Sequence, residues 1–89
     1  MAYVMGYFRA FNIGARARGI EVRKAKGFGR FDHLVKTPNG QEAYVFISDR
    51  SLRGVEAKLE KVGKARAFLV YSYETVDEVL DALMDLTHD

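Results

Sequence analysis

The residues equipped for chemistry sit mostly in the first half of the chain. Lys26-Gly27-Phe28-Gly29-Arg30 combines two cations with glycine-freed backbone amides, a set able to cradle phosphate, although it is not the Walker pattern and flexible glycine loops are common. Phe28, an aromatic flanked by cations, is suited to stack on a base; it is equally suited to tuck into a dimer partner. Arg9, Arg16, Arg18, Arg23, Lys24, Lys26 and Arg30 are the cations available to phosphates. Two residues beyond the loop stands Asp32, followed by His33. A lone histidine in a strand is more often a structural or surface residue than a ligand, because zinc takes three or four protein ligands. His88 lies at a terminus, where fraying is expected. Glu56-Ala57-Lys58 places a glutamate and a lysine two apart, but on a helix that spacing points them in different directions and the pair reads as a coincidence. No arrangement suggests a serine or cysteine nucleophile, and no dinucleotide fingerprint is present.

The elements that must position these residues follow from periodicity. Val4, Phe8, Phe11 and Ala15 form the apolar stripe of a helix over residues 2–17, with Arg9, Asn12 and Arg16 opposite and Gly19 as its stop. Gly6 and Gly14 cost such a helix about 1 kcal/mol each relative to alanine, so it either packs closely on a neighbouring backbone or ends near Gly14. Ile20 and Val22 alternate with charged residues as a half-buried strand, and residues 31–37 read as a second. Pro38-Asn39-Gly40 is a turn that returns the chain antiparallel into a third strand over residues 42–48. Ser51 is a candidate cap for a helix with Leu52, Val55, Leu59 and Val62 on one side and Gly63 at its end. Ala67 to Tyr71 is continuously apolar, as a strand covered on both faces would be, and Tyr71 and Tyr73 read as core and rim. Thr75 and Glu78 suggest a capping box for a last helix that buries Val76, Val79, Leu80, Leu83 and Leu86 and exposes Glu74, Asp77, Glu78, Asp81 and Asp85. The expected fold is α/β, in the order helix-strand-strand-strand-helix-strand-helix, with a mixed four-stranded sheet flanked by helices in one domain, residues 1–89.

Composition limits the function classes. With 89 residues, 48% of them hydrophobic, the chain is an ordinary globular domain that buries roughly 60–65% of its unfolded surface. The absence of cysteine excludes disulfides and thiolate metal sites and fits a reducing cytoplasm. Arg9 interrupts the apolar N-terminus too early for a signal-peptide core or a membrane span, so a soluble, cytoplasmic protein is expected. Charge is divided unevenly: residues 1–41 carry eight Lys and Arg against Glu21 and Asp32, whereas residues 42–89 carry six against ten acids. The basic half is the candidate face for a polyanion.

In its order of elements the chain resembles the restriction-endonuclease-like superfamily, whose core is a helix, a three-stranded meander, a helix and a strand. Within it the chain looks most like the archaeal Holliday-junction resolvase branch. The resemblance spans nearly the whole chain and is specific at few positions. The family carries its first catalytic aspartate in the strand that follows a flexible loop, and GRFDHLV puts Asp32 there. The resemblance implies phosphodiester hydrolysis, with clustered acids holding Mg²⁺ or Mn²⁺ and a lysine orienting the attacking water. It also implies a Glu-x-Lys pair in the next strand, which in EAYVFIS falls on Phe46 and Ser48 or on Ile47 and Asp49. Neither register supplies the lysine, and only Asp49 keeps a carboxylate. One aspartate cannot cage Mg²⁺, which demands near-octahedral oxygen ligands. Asp32 is therefore read as a catalytic remnant and candidate metal ligand, Asp49 as a second carboxylate, and Glu42, Glu21 or Lys36 as groups to which lost roles could have moved. Two functions stay open: a nucleic-acid-binding protein, DNA in the first instance, with a nuclease-like fold and feeble or absent cleavage; or a non-catalytic interaction module or homodimeric scaffold. A small core, two helix glycines and the Phe28 loop favour a two-fold dimer in either case.

Overall fold

The computed structural model describes residues 2–49, 52 and 54–86. Its elements run α1 (Ala2–Ala17), β1 (Glu21–Lys24), β2 (Asp32–Lys36), β3 (Glu42–Ile47), α2 (Val55–Val62), β4 (Ala67–Val70) and α3 (Tyr73–Met84). The sheet order is β1-β2-β3-β4, with β1–β2 and β2–β3 antiparallel and β3–β4 parallel. The chain is thus α/β with a mixed four-stranded sheet in the expected order of elements.

Strand alternation sorts the sheet into two unlike faces. Val35, Ala43, Val45, Ile47 and Val70 join Val4, Tyr7, Phe11 and Ala15 of α1 and Val76, Val79, Leu80 and Leu83 of α3 in one buried cluster. The other face carries Asp32, Leu34, Tyr44 and Phe46, and it meets α2. No residue of α2 is fully buried, so this helix rests on the sheet through a few specific contacts instead of an apolar stripe.

Local signals explain most boundaries. Gly19 ends α1 at φ +75°, with the Ile20 amide donating to the Ala15 carbonyl and the Gly19 amide to that of Arg16, a Schellman motif. The Pro38-Asn39-Gly40 turn closes with the Gly40 amide on the Thr37 carbonyl, Gly40 at φ +89°.

Five expectations are corrected. α1 continues through Gly14, and its glycines abut side chains, not backbone: a Cβ at Gly6 would stand 2.3 Å from the Tyr73 hydroxyl, and one at Gly14 2.4 Å from Leu80 Cδ1. The cap of α3 is Ser72, whose hydroxyl accepts from the Thr75 amide while Thr75 Oγ1 accepts from the Ser72 amide; the box lies three residues before the Thr75–Glu78 one. α2 begins at Val55 after Gly54, leaving Leu52 outside the helix at φ 54°; Ser51 lies outside the described residues, as does His88. β4 is an edge strand in which only Val70 is buried, so its apolar run is not covered on both faces as expected. Tyr71 and Tyr73 are exposed and line a groove of about 640 Å³ with Tyr7, Leu52, Ser72 and Glu74.

Gly14→Ala sets helix propensity against packing. Alanine favours the helix by about 1 kcal/mol, but Leu80 is fully buried and has nowhere to withdraw, and overpacking a filled core costs about 1–3 kcal/mol. A net loss of stability of about 1 kcal/mol is expected in urea denaturation; an unchanged or raised midpoint would show that Leu80 can repack.

Candidate functional site

Asp32 opens β2 directly opposite Phe46 and is fully buried. A carboxylate in that position must be compensated, and two groups do so. The Gly29 amide donates to Oδ2 at 2.7 Å, and Lys58 Nζ, from α2, lies 2.9 Å from both carboxylate oxygens. Gly29 is required for the approach, since a Cβ there would stand 2.9 Å from Oδ2. The Asp32 main chain closes the loop as well, its amide donating to the Gly29 carbonyl and its carbonyl accepting from the Ala25 amide.

A second lysine of α2 fastens the same loop. Lys61 Nζ donates to the Gly27 carbonyl and sits 4.5 Å above the centre of the Phe28 ring. Gly27 adopts φ +83°, the left-handed region in which glycine avoids a Cβ penalty. Phe28 packs on Tyr44 and Phe46 with centroids 5.3 and 5.7 Å apart. It is half-buried within its own chain, between Lys61 and the Tyr44 and Phe46 rings. Held this way, the loop presents Lys26 and Arg30 to solvent beside Lys24 at the end of β1, and the Arg30 guanidinium lies 5.4 Å from the Phe31 ring centre.

The other predicted cations do not join this group. Arg9 and Arg16 are exposed on α1, Arg18 donates to the Gly14 carbonyl, and Arg23 pairs with Glu21 at 3.3 Å. The candidate acids are likewise dispersed. Asp49 is exposed beyond the end of β3, and Glu21 and Glu42 flank Lys36 at the opposite end of β2, four residues and roughly 13 Å from Asp32 at strand rise. Among the described residues no three His, Asp or Glu side chains converge as metal ligands. With Lys58 and Gly29 already on the Asp32 oxygens, these residues do not fit Mg²⁺ or Mn²⁺.

Lys58 and Lys61 are the participants that sequence reasoning missed. The expected inner stripe of α2 used Leu59, which is exposed; the stripe that meets the sheet is Val55, Lys58 and Val62. A lysine at helical spacing between two valines was the available signal. His33 is a core residue instead of a ligand: it is buried and stacked on Phe8 at 4.8 Å, with Nε2 unpartnered. Burial lowers its pKa below 6.5, against smaller upward influences from a hydrogen bond with the Arg23 backbone and from the Asp32 charge. Compared with known families, curated proteins and solved structures, the chain matches none.

Two outcomes follow from this geometry. Lys58→Met strands a fully buried carboxylate; complete rupture of a buried pair costs about 3–5 kcal/mol, and partial exposure of Lys58 reduces the expected loss to about 2 kcal/mol. The double variant Asp32→Leu/Lys58→Met should be more stable than Lys58→Met alone in urea denaturation, because no buried charge is left unpaired. His33 gives a pH dependence of known sign. With the folded pKa below that of the unfolded chain, stability is complete above about pH 6.5 and is lost as pH falls through 6.5 towards the folded value, by at most about 1.4 kcal/mol per pH unit. His33→Phe should flatten this decline when unfolding free energies at pH 7.5 and 5.5 are compared.

Proposed function

We propose that the chain is a nucleic-acid-binding protein with a restriction-endonuclease-like core in which metal-dependent cleavage is absent or feeble. The observation that carries this reading is the β1–β2 connection: three exposed cations, Lys24 at the end of β1 and Lys26 and Arg30 in the loop, beside a loop backbone pinned by Asp32, Lys58 and Lys61. A pre-ordered loop backbone reduces the conformational freedom that must be lost when these cations meet phosphates. Phosphate contacts give affinity without sequence selectivity. DNA is the first partner to test.

Three features support the nuclease-like core. An antiparallel meander is followed by a parallel fourth strand, the connection between them contains a helix, and an aspartate opens the second strand. The register sets Phe46 opposite Asp32, which within this reading favours Phe46 and Ser48 over Ile47 and Asp49 as the places of the superfamily's Glu-x-Lys pair. Phe46 is buried under Phe28 and replaces an acid with core. Lys58 brings an ammonium to Asp32 from another element, but there it neutralises the carboxylate that a metal would need. Among the described residues no helix is long and apolar enough to cross a membrane.

Gel-shift titrations with duplex, junction and single-stranded DNA test the reading. Retention is expected at low salt, and changing Lys24, Lys26 and Arg30 together to alanine should flatten the log–log salt dependence by about 0.9 per lost duplex contact, or about 0.7 on a single strand. No nicking is expected with Mg²⁺ or Mn²⁺. Absence of retention on every substrate would overturn the binding assignment, and cleavage abolished in a folded Asp32→Asn variant would overturn the loss of catalysis.

A further inference from the structure

α1 and α3 lie side by side on one face of the sheet and run in the same direction, because Gly6 abuts Tyr73 and Gly14 abuts Leu80. Their solvent-facing stripes are unlike. On α1, Met5, Arg9, Ile13 and Arg16 follow one another at spacings of four, four and three, one narrow line opposite the buried Val4, Phe11 and Ala15. On α3, Tyr73, Asp77, Asp81 and Met84 follow one another at the same spacings along the exposed surface on the side nearer α1, and the exposed Glu74, Glu78 and Asp85 lie beyond them. Four large apolar side chains stand in these two lines at substantial exposure: Met5 at 43%, Ile13 at 63%, Tyr73 at 58% and Met84 at 44%. Among the described residues Arg9, Arg16, Asp77 and Asp81 form no ion pair. Both stripes thus combine apolar residues with unpaired charges, and the charges on the two helices have opposite signs.

The glycine contacts fix the relative heights of the two helices. With Gly6 level with Tyr73 and Gly14 level with Leu80, Met5 comes level with Tyr73, Arg9 with Asp77, and Arg16 with Asp81, each to within about two residues or roughly 3 Å of axial rise. A two-fold rotation about an axis parallel to the helices keeps every height and every direction but exchanges the two sides. It sets α1 of one protomer on α3 of its partner. We propose that the chain forms a homodimer through this face, with Arg9 and Arg16 meeting the partner's Asp77 and the partner's Asp81, and Met5 meeting the partner's Tyr73. Every pairing occurs twice. Charge selects the axis: a two-fold perpendicular to the helices would lay α3 on its own copy and oppose Asp77, Asp81 and Asp85 with like charges, which is unfavourable.

A charge exchange followed by sedimentation equilibrium tests the arrangement. The wild-type chain should sediment as a dimer of the 10.1 kDa protomer. Arg9→Glu/Arg16→Glu makes both stripes acidic, and Asp77→Lys/Asp81→Lys makes both basic. Each variant alone should lose self-association by about tenfold or more, four ion pairs becoming four repulsions. Mixed, the two should recover a heterodimer of near wild-type affinity, which also shows that both are folded. A wild-type monomer at high concentration overturns the proposal, as do reversed variants that still dimerise alone or a mixture that fails to associate. A loss of DNA affinity in Arg9→Glu/Arg16→Glu with the dimer intact would assign these arginines to nucleic acid instead and overturn it equally.

Discussion

The buried Asp32 carboxylate is the interaction on which the surrounding structure depends. It joins three segments that otherwise share little apolar contact: the start of β2, the glycine loop before it and the middle of α2. A carboxylate removed from water needs nearby groups to replace its hydration, and here one amide and one ammonium do so. The consequences spread from this point. Lys58 brings α2 onto a sheet face for which that helix has no buried residue, and with α2 in place Lys61 reaches the Gly27 carbonyl and the Phe28 ring. Phe28 then closes over Tyr44 and Phe46. The interactions that order the loop are also those that occupy the Asp32 oxygens, so in this chain loop order and metal ligation compete for the same carboxylate.

Much of the fold was legible in the sequence because its signals are local. The 3.6-residue stripe of α1, Gly19 and Gly63 after their helices, and Pro38-Asn39-Gly40 between two apolar runs each act within a few residues, and all appear where the pattern puts them. The misreadings share one physical cause, the dependence of a residue on groups distant in the chain. Ser72-x-x-Thr75 and Thr75-x-x-Glu78 are both acceptable capping boxes by local rules, and only the placement of β4 before α3 decides between them. Ala67–Val70 reads as a strand covered on both faces because its residues are apolar, but coverage depends on elements distant in the chain, and only Val70 is buried. Asp32 was located correctly in β2, yet its role was not legible, because Lys58 is 26 residues away.

The glycines of α1 illustrate how a locally unfavourable residue serves a tertiary purpose. Each weakens the helix by about 1 kcal/mol. At both positions the space left by the missing Cβ is filled, by the Tyr73 hydroxyl at Gly6 and the Leu80 methyl at Gly14, which draws α3 close and fixes its height against α1. Tyr73 continues this packing edge-on against Tyr7 at 4.9 Å. The glycines therefore set the register of the helix layer as well as its spacing.

That register changes the meaning of the charge asymmetry in the sequence. The basic first half and acidic second half do not become two hemispheres, because α1 and α3 come from opposite halves and lie together. Packed helices are separated by about 8–10 Å, close to a Debye length of about 8 Å at physiological salt. Arg9 and Arg16 consequently share their surroundings with Asp77 and Asp81, and a phosphate approaching that layer meets attraction and repulsion at similar range. In the β1–β2 loop the balance differs: between Lys24 and Arg30 every charged residue is a cation, the acid at its end is buried against Lys58, and the acids nearest on α2, Glu56 and Glu60, share that helix with Lys58 and Lys61. This charge pattern supports the proposed assignment of a polyanion to the loop, and of the α1 arginines to an acidic surface that presents its charges at matching heights.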